Sequence, residues 1–177
     1  MSPPKGAANQ FSDHIAGVDK KLKWHLWPLV VTVAVWVVVA HGKVSYAFDK
    51  GRVPAAALGF MKSEHIAGNM FNSDEFGDYM IYSLWPEYRV FIDGRNDMYG
   101  AEIVRDYRKV ATLQPGWQGV FKKYNIYWVF CNANSALSLF LTVQGDWKLI
   151  YADNIANIFV KDIPSYQYLI NKYARKF

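Results

Sequence analysis

The segment with the clearest potential for chemistry is a short polar loop that follows an apolar run. Residues 93–97 read Asp-Gly-Arg-Asn-Asp and come directly after the β-branched and aromatic run 89–92. In an α/β fold, ligands bind outside the carboxyl ends of strands, where this loop would lie. Asp93 or Asp97, paired with a second carboxylate, can then act as general acid and base. Arg95 can alternatively bind a sugar through hydrogen bonds. The candidate partner carboxylates are Asp74, Glu75 and Asp78.

A structural interpretation of the same loop is the one we favour. Arg95 would bridge carboxylates and fix the loop, while Gly94 supplies a turn conformation. A network of this kind needs neither a ligand nor a reaction. The two interpretations differ in whether a carboxylate stays open to a substrate.

Other residue types that carry chemistry lack the spacing of a known kind of site. The histidines are scattered and show no metal-ligand spacing; they are His14, His25, His41 and His65. Cys131 ends an apolar run without a nearby histidine, which is typical of a buried apolar residue. The chain contains no serine elbow and no phosphate-binding glycine loop. We therefore predict no metal, no cofactor and no catalytic residue.

The loop belongs to a chain that begins with a basic head and an apolar run. Residues 24–40 contain no ionised side chain, and we predict a single membrane helix over 24–42, with a head at 1–23 and a connector at 43–53. Trp24, Trp27 and Trp36 would anchor it at the bilayer interfaces. A cleaved signal peptide or a buried core helix would explain the run less well, because the head is long and the run has no polar face.

Lysines crowd the head next to the predicted membrane helix, which favours a cytoplasmic N-terminus and an exported domain at 54–177. The net charge of +5 is spread thinly, without the basic stripe that follows phosphates, so we predict no nucleic-acid partner. A single cysteine excludes an intrachain disulfide. The lipid bilayer and other membrane subunits are the expected partners.

Strands and helices alternate along the predicted domain. Strands are predicted at 69–72, 89–92, 126–131, 147–152 and 155–161, with helices between them and after the last strand. Asp153 and Asn154 suit a tight turn between the last two strands. This order predicts an α/β fold: a mixed sheet with helices on both faces and a C-terminal β-hairpin.

The C-terminal segment 165–177 places Tyr166, Leu169 and Tyr173 on one face of a predicted helix. That face can dock on a partner or a membrane surface. It can equally complete the core of the domain, with basic residues at the negative end of the helix dipole. The sequence leaves both interpretations open.

A set of residues across 53–161 resembles the C-terminal extracytoplasmic domain of polytopic bacterial membrane proteins related to dolichyl-phosphate-mannose protein mannosyltransferases. The central motif is Phe91-Ile92-Asp93-Gly94-Arg95, the FIDGR loop. The other matching residues are Asn72, Gly77, Tyr79, Pro86, Asp97, Tyr99, Pro115, Gly116, Trp117, Tyr124, Trp147, Lys148, Tyr151 and Asp153. This chain has Gly77-Asp78-Tyr79 where those relatives usually carry Gly-Gly-Tyr.

The resemblance implies a non-catalytic domain, because the catalytic carboxylates of such glycosyltransferases lie in an early loop of a many-span region. It also implies a bacterial inner membrane, with the domain in the periplasm. We expect an accessory subunit that stabilises or bridges a larger membrane complex, with energy-transducing complexes, respiratory or photosynthetic, as the first setting to examine. The alternative is a partner of a membrane glycosyltransferase that binds a glycan or polyprenyl-linked glycan.

Overall fold

The computed structural model describes Gly17, residues 27–40 and residues 53–174. Contacts divide the chain into two compact units, Met1–Ala47 and Phe48–Phe177. We describe each unit by itself and refer to the second as the domain.

The first unit contains helix α1, Trp27–Ala40, which is fourteen residues long. Trp27 and Trp36 are 62% and 69% exposed, and no residue of α1 is buried. Among the described residues, the helices are too short or too polar to cross a membrane. Trp24 lies outside the described residues, as do the head apart from Gly17 and the connector apart from Val53. The membrane span, its tryptophan anchors and its topology therefore stay predictions.

The domain is a mixed α/β structure. Its helices are α2 Ala55–Glu64, α3 Asp74–Leu84, α4 Gly100–Ala111, α5 Trp117–Lys123, α6 Ala136–Val143 and α7 Gln167–Tyr173. Its strands are β1 Asn69–Asn72, β2 Ile126–Asn132, β3 Trp147–Ala152 and β4 Ala156–Lys161. Short 3₁₀ turns occur at Asn96–Met98 and Pro164–Tyr166.

The four strands form one sheet in the order β1-β2-β4-β3. β1 and β2 are parallel, whereas β4 is antiparallel to both of its neighbours. The predicted mixed sheet and closing hairpin are confirmed. At the hairpin turn, the Asp153 carboxylate accepts hydrogen bonds from the backbone N–H groups of Ile155 and Ala156, both at 2.7 Å.

Helices cover both faces of the sheet, as predicted. Along β2, Trp128 and Phe130 face one core cluster, while Val129 and Cys131 face the other. Helices α2, α3 and α7 contribute to the first cluster, and α4, α5 and α6 contribute to the second. Because β2 is buried on both faces, it reads in sequence as an unbroken apolar run instead of an alternating one.

The predicted strand at 89–92 is wrong, since these residues form no strand in the structure. The backbone N–H of Phe91 donates to Oδ1 of Asn72 at 2.7 Å, and Nδ2 of Asn72 donates to the carbonyl of Ile92 at 2.8 Å. A side-chain amide thus takes the place that a neighbouring strand would occupy. The run has the composition of a strand and lies beside the edge of the sheet, but it does not pair with β1.

Candidate functional site

The FIDGR loop is pressed against helix α3 at Gly77. A Cβ atom at Gly77 would lie 2.3 Å from the carbonyl oxygen of Ile92 and 2.6 Å from Cα of Asp93. Glycine inside a helix costs stability, which makes its presence here informative. The missing side chain lets the backbone of the loop touch the backbone region of the helix.

Asn72, at the end of β1, fastens the start of the same loop. Its side chain is fully buried and bonds the loop backbone as donor and as acceptor. Its Nδ2 also donates to the carbonyl of Ser73 at 2.9 Å. Since all these partners are backbone groups, the amide determines the path of the loop and not its chemistry.

Replacing Asn72 should therefore loosen the loop. We expect Asn72→Ala to lower the free energy of unfolding by about 2 kcal/mol, because buried backbone groups lose their partners. Asn72→Asp keeps an acceptor but removes both donated bonds, and it should be at least as harmful. Asn69→Ala is the matched control: the exposed Nδ2 of Asn69 makes one bond, to the carbonyl of Tyr124, so the change should cost less than about 1 kcal/mol. Urea unfolding of the three variants would test this order.

Asp93 and Arg95 form the central charged pair of the loop. The Asp93 side chain is fully buried, whereas 56% of the Arg95 side chain is exposed. Nε of Arg95 lies 3.2 Å from both carboxylate oxygens, Nη2 also contacts Oδ2, and the Arg95 backbone N–H donates to Oδ1 at 2.9 Å. The Arg95 guanidinium holds the pKa of the Asp93 carboxyl below its usual value, against the opposing effect of burial.

This arrangement does not suit Asp93 to proton transfer. A general acid at neutral pH needs a raised pKa, and a base needs a free lone pair directed at substrate. The Asp93 carboxyl has a lowered pKa, and its two oxygens accept bonds from the neighbouring arginine. Its charge stabilises the loop.

The remaining predicted loop residues surround this pair. Asp97 and Asp78 are exposed. Asp78, on α3, faces the loop: its Oδ2 lies 2.8 Å from the Cβ position that Gly94 leaves empty. Oδ1 of Asn96 is buried without a hydrogen-bond donor among the described residues. Two exposed carboxylates, Asp97 after the FIDGR loop and Asp78 on α3, therefore accompany the paired, buried Asp93.

Asp74 and Glu75 lie at a different place, where the parallel strands β1 and β2 end. The Tyr107 hydroxyl donates to Oδ1 of Asp74 at 2.9 Å, and Nδ2 of Asn132 donates to Oε1 of Glu75 at 2.8 Å. Both carboxylates line a cavity of about 230 Å³. They are engaged there and not by the FIDGR loop. Tyr107 and Asn132 were not among the predicted site residues, because pairs so distant in sequence leave no local signal.

Cys131 is fully covered, at 1% exposure, and burial raises the pKa of its thiol to about 12. A thiolate is the reactive form of cysteine, so the native protein should resist alkylation. We expect iodoacetamide to leave the mass of the folded chain unchanged and to modify it fully in denaturant. Mass spectrometry would detect this, and native alkylation at the rate of a free thiol would contradict the assignment.

The C-terminal helix completes the domain. Leu169 is fully buried and Tyr166 is 5% exposed, and Tyr173 packs against the same first core cluster. The Tyr166 hydroxyl donates to the carbonyl of Ala67 at 2.6 Å, and the Tyr173 hydroxyl donates to Oε1 of Glu64 at 2.7 Å. Of the two interpretations left open by the sequence, the packing fits the intradomain one.

Two aromatic side chains near the end of α3 remain outside the core. Tyr82 is 78% exposed and Trp85 is 63% exposed. They stand three positions apart in the chain. Exposed tryptophan and tyrosine are characteristic of contact surfaces, since each offers a large apolar area with a polar edge.

Comparison with known proteins gives one structural likeness. No protein-family model and no curated protein sequence matches the chain. The fold is similar to the crystal structure of the C-terminal globular domain of an oligosaccharyltransferase from Archaeoglobus fulgidus, with 12% sequence identity and a TM-score of 0.47. The alignment covers 61% of this chain and 95% of that domain.

Proposed function

We propose that the chain is a non-catalytic, membrane-anchored accessory protein whose α/β domain binds another subunit of a larger membrane complex. The observation that carries this proposal is the exposed aromatic pair Tyr82 and Trp85, at 78% and 63% exposure. Exposed tryptophan and tyrosine side chains are enriched at the centres of protein interfaces, where each buries a large apolar area. The predicted membrane segment 24–42 would bring this surface close to other membrane proteins.

The state of the candidate chemical groups supports the non-catalytic part. The Asp93 carboxylate forms an ion pair with Arg95. The Cys131 thiol is buried and has a raised pKa. Among residues 53–174, no group of histidine, cysteine or carboxylate side chains is arranged to hold a metal ion. The FIDGR loop packs directly on α3 at Gly77, the helix that carries Tyr82.

Position-specific photo-cross-linking in cells would test the proposal. A benzoylphenylalanine at Trp85 should give a defined cross-linked product, and Trp85→Ala should reduce co-migration of that partner in gentle detergent by about tenfold, the loss expected for an interface anchor. Leu139 is the matched control position: it is 66% exposed but lies on α6, which packs on the other face of the sheet. Migration of the chain as a free monomer, or equal products from both positions, would refute the proposal.

A further inference from the structure

The open edge of the sheet is bordered by a second extended segment. β1 is an edge strand, so one side of its backbone has no strand partner among residues 53–174. Beside it, Val90 packs on the first core cluster and Phe91 on the second. Alternation between the two faces is what a strand shows. The segment therefore continues both core layers past the edge of the sheet without closing it.

A groove separates β1 from the extended segment at Val90 and Phe91 over the first half of the strand. The Asn72 amide spans the gap at the far end. Nearer the start of β1 a cavity of about 460 Å³ opens, within the range of sites that accept ligands. Strand residues Asn69 and Met70 line one side, residues 86–91 line the other, and Trp128 contributes to the lining.

Hydrogen bonds hold the strand side of this groove in place. Nε1 of Trp128 donates to the carbonyl of Gly68 at 2.9 Å, and the Tyr166 hydroxyl donates to the carbonyl of Ala67. Nδ2 of Asn69 donates to the carbonyl of Tyr124 at 2.9 Å. A wall already ordered in the free protein loses little entropy when something binds.

The opposite wall carries an arginine that makes no ion pair with a described residue, close in sequence to a glutamate. Glu87 lies 3.1 Å from Nδ1 of His65. Arg89 also lines the groove and is exposed, and it has no ion-pair partner among residues 53–174. A carboxylate of an occupant beside Arg89 would form the ion pair that Glu87, in contact with His65, does not form.

We propose that this groove receives an extended acidic segment of a partner polypeptide, which adds to the sheet as a strand beside β1. Main-chain hydrogen bonds to the open edge would provide affinity, the apolar lining would accept alternate side chains, and Arg89 would bind an Asp or Glu side chain. The inference rests on the proposed function, since it specifies which part of the partner subunit is recognised.

The test uses the full chain in mild detergent and the fluorescent peptide acetyl-Ser-Val-Glu-Val-Thr-amide. We expect saturable binding by fluorescence anisotropy. N-methylation of alternate peptide amides should abolish it, because the side chains remain while the main-chain donors are removed. Arg89→Glu should weaken binding at least fivefold and should make the chain prefer the peptide with Lys in place of Glu. Arg108→Glu, an exposed change on α4 away from the groove, should do neither.

Three results would overturn the inference: no binding at millimolar peptide, equal binding of the N-methylated peptide, or an unchanged preference in Arg89→Glu. Equal binding of the methylated form would mean that the groove takes apolar groups without strand pairing. These assays need no native partner. Their failure would therefore leave the cross-linking result at Trp85 intact, so the two proposals fail separately.

Discussion

Gly77→Ala should lower the free energy of unfolding by about 3 kcal/mol, the upper part of the range for an overpacked core position. The new methyl group would stand 2.3 Å from the carbonyl oxygen of Ile92 and 2.6 Å from Cα of Asp93. Both atoms belong to the backbone, so no side chain can rotate away to make room. Relief requires the FIDGR loop to move off α3, which would disturb the bonds from Asn72 and the Asp93–Arg95 pair.

Gly59→Ala is the matched control for this change. Gly59 lies inside helix α2, and apart from its own helix backbone and chain neighbours no described atom is within 4 Å of the position its Cβ would take. There alanine should stabilise the domain by about 0.5–1 kcal/mol, through helix propensity alone. The two substitutions are chemically identical and should have opposite signs in urea unfolding followed by tryptophan fluorescence. Equal stability of the two variants would show that the loop does not press on α3.

The contact at Gly77 also explains the residues on which the family resemblance depends. Asn72, Gly77 and the FIDGR loop are spread over some twenty positions of sequence, yet they meet at one place in the domain. What looks in sequence like a motif for chemistry is, in the structure, a set of packing and hydrogen-bonding requirements. The resemblance to a membrane glycosyltransferase family stays a resemblance.

The local sequence predicted strands and turns correctly where a single pattern, such as an apolar run or a turn residue, determines the structure. The apolar run in β2 identifies a strand buried on both faces, and Asp153 identifies the hairpin turn. It failed at 89–92, because composition and alternation describe how side chains pack but not whether backbones pair. The amide of Asn72, about twenty positions earlier, decides that question, and no window around 89–92 contains it.

The candidate site was predicted in part for the same reason. The neighbours Asp93 and Arg95 are close in sequence, so their pairing could be inferred from the loop itself. The engagement of Asp74 by Tyr107 joins residues 33 positions apart, and it depends on how α4 packs beside the parallel strands. Exposure is also a property of the fold: Asp93 is fully buried, whereas Asp97 in the same loop is exposed.

The unequal burial of the charged pair leads to a second strong prediction: Arg95→Ala should destabilise the domain more than Asp93→Asn. Loss of Arg95 leaves a carboxylate sealed in the protein without its cation, which is costly. Loss of the Asp93 charge leaves an arginine whose side chain is 56% exposed and can be solvated. We expect Asp93→Asn to cost about 1.5–3 kcal/mol, the range for a lost hydrogen bond to a charged group, and Arg95→Ala to cost more. The double variant should be more stable at pH 7 than Arg95→Ala.

The pH dependence distinguishes this electrostatic cause from simple loss of packing. In the wild type, Arg95 lowers the pKa of Asp93 below its value in the unfolded chain. The pair therefore stabilises the fold above about pH 4, and this contribution is lost as the pH falls through the folded pKa. In Arg95→Ala the guanidinium no longer lowers the pKa of Asp93, so burial raises it. Protonation of Asp93 at low pH then removes the unpaired buried charge and part of the stability loss. Urea unfolding at about pH 7 and about pH 3 should show the deficit of Arg95→Ala shrinking on acidification. A deficit independent of pH would mean that Arg95 contributes packing and not charge.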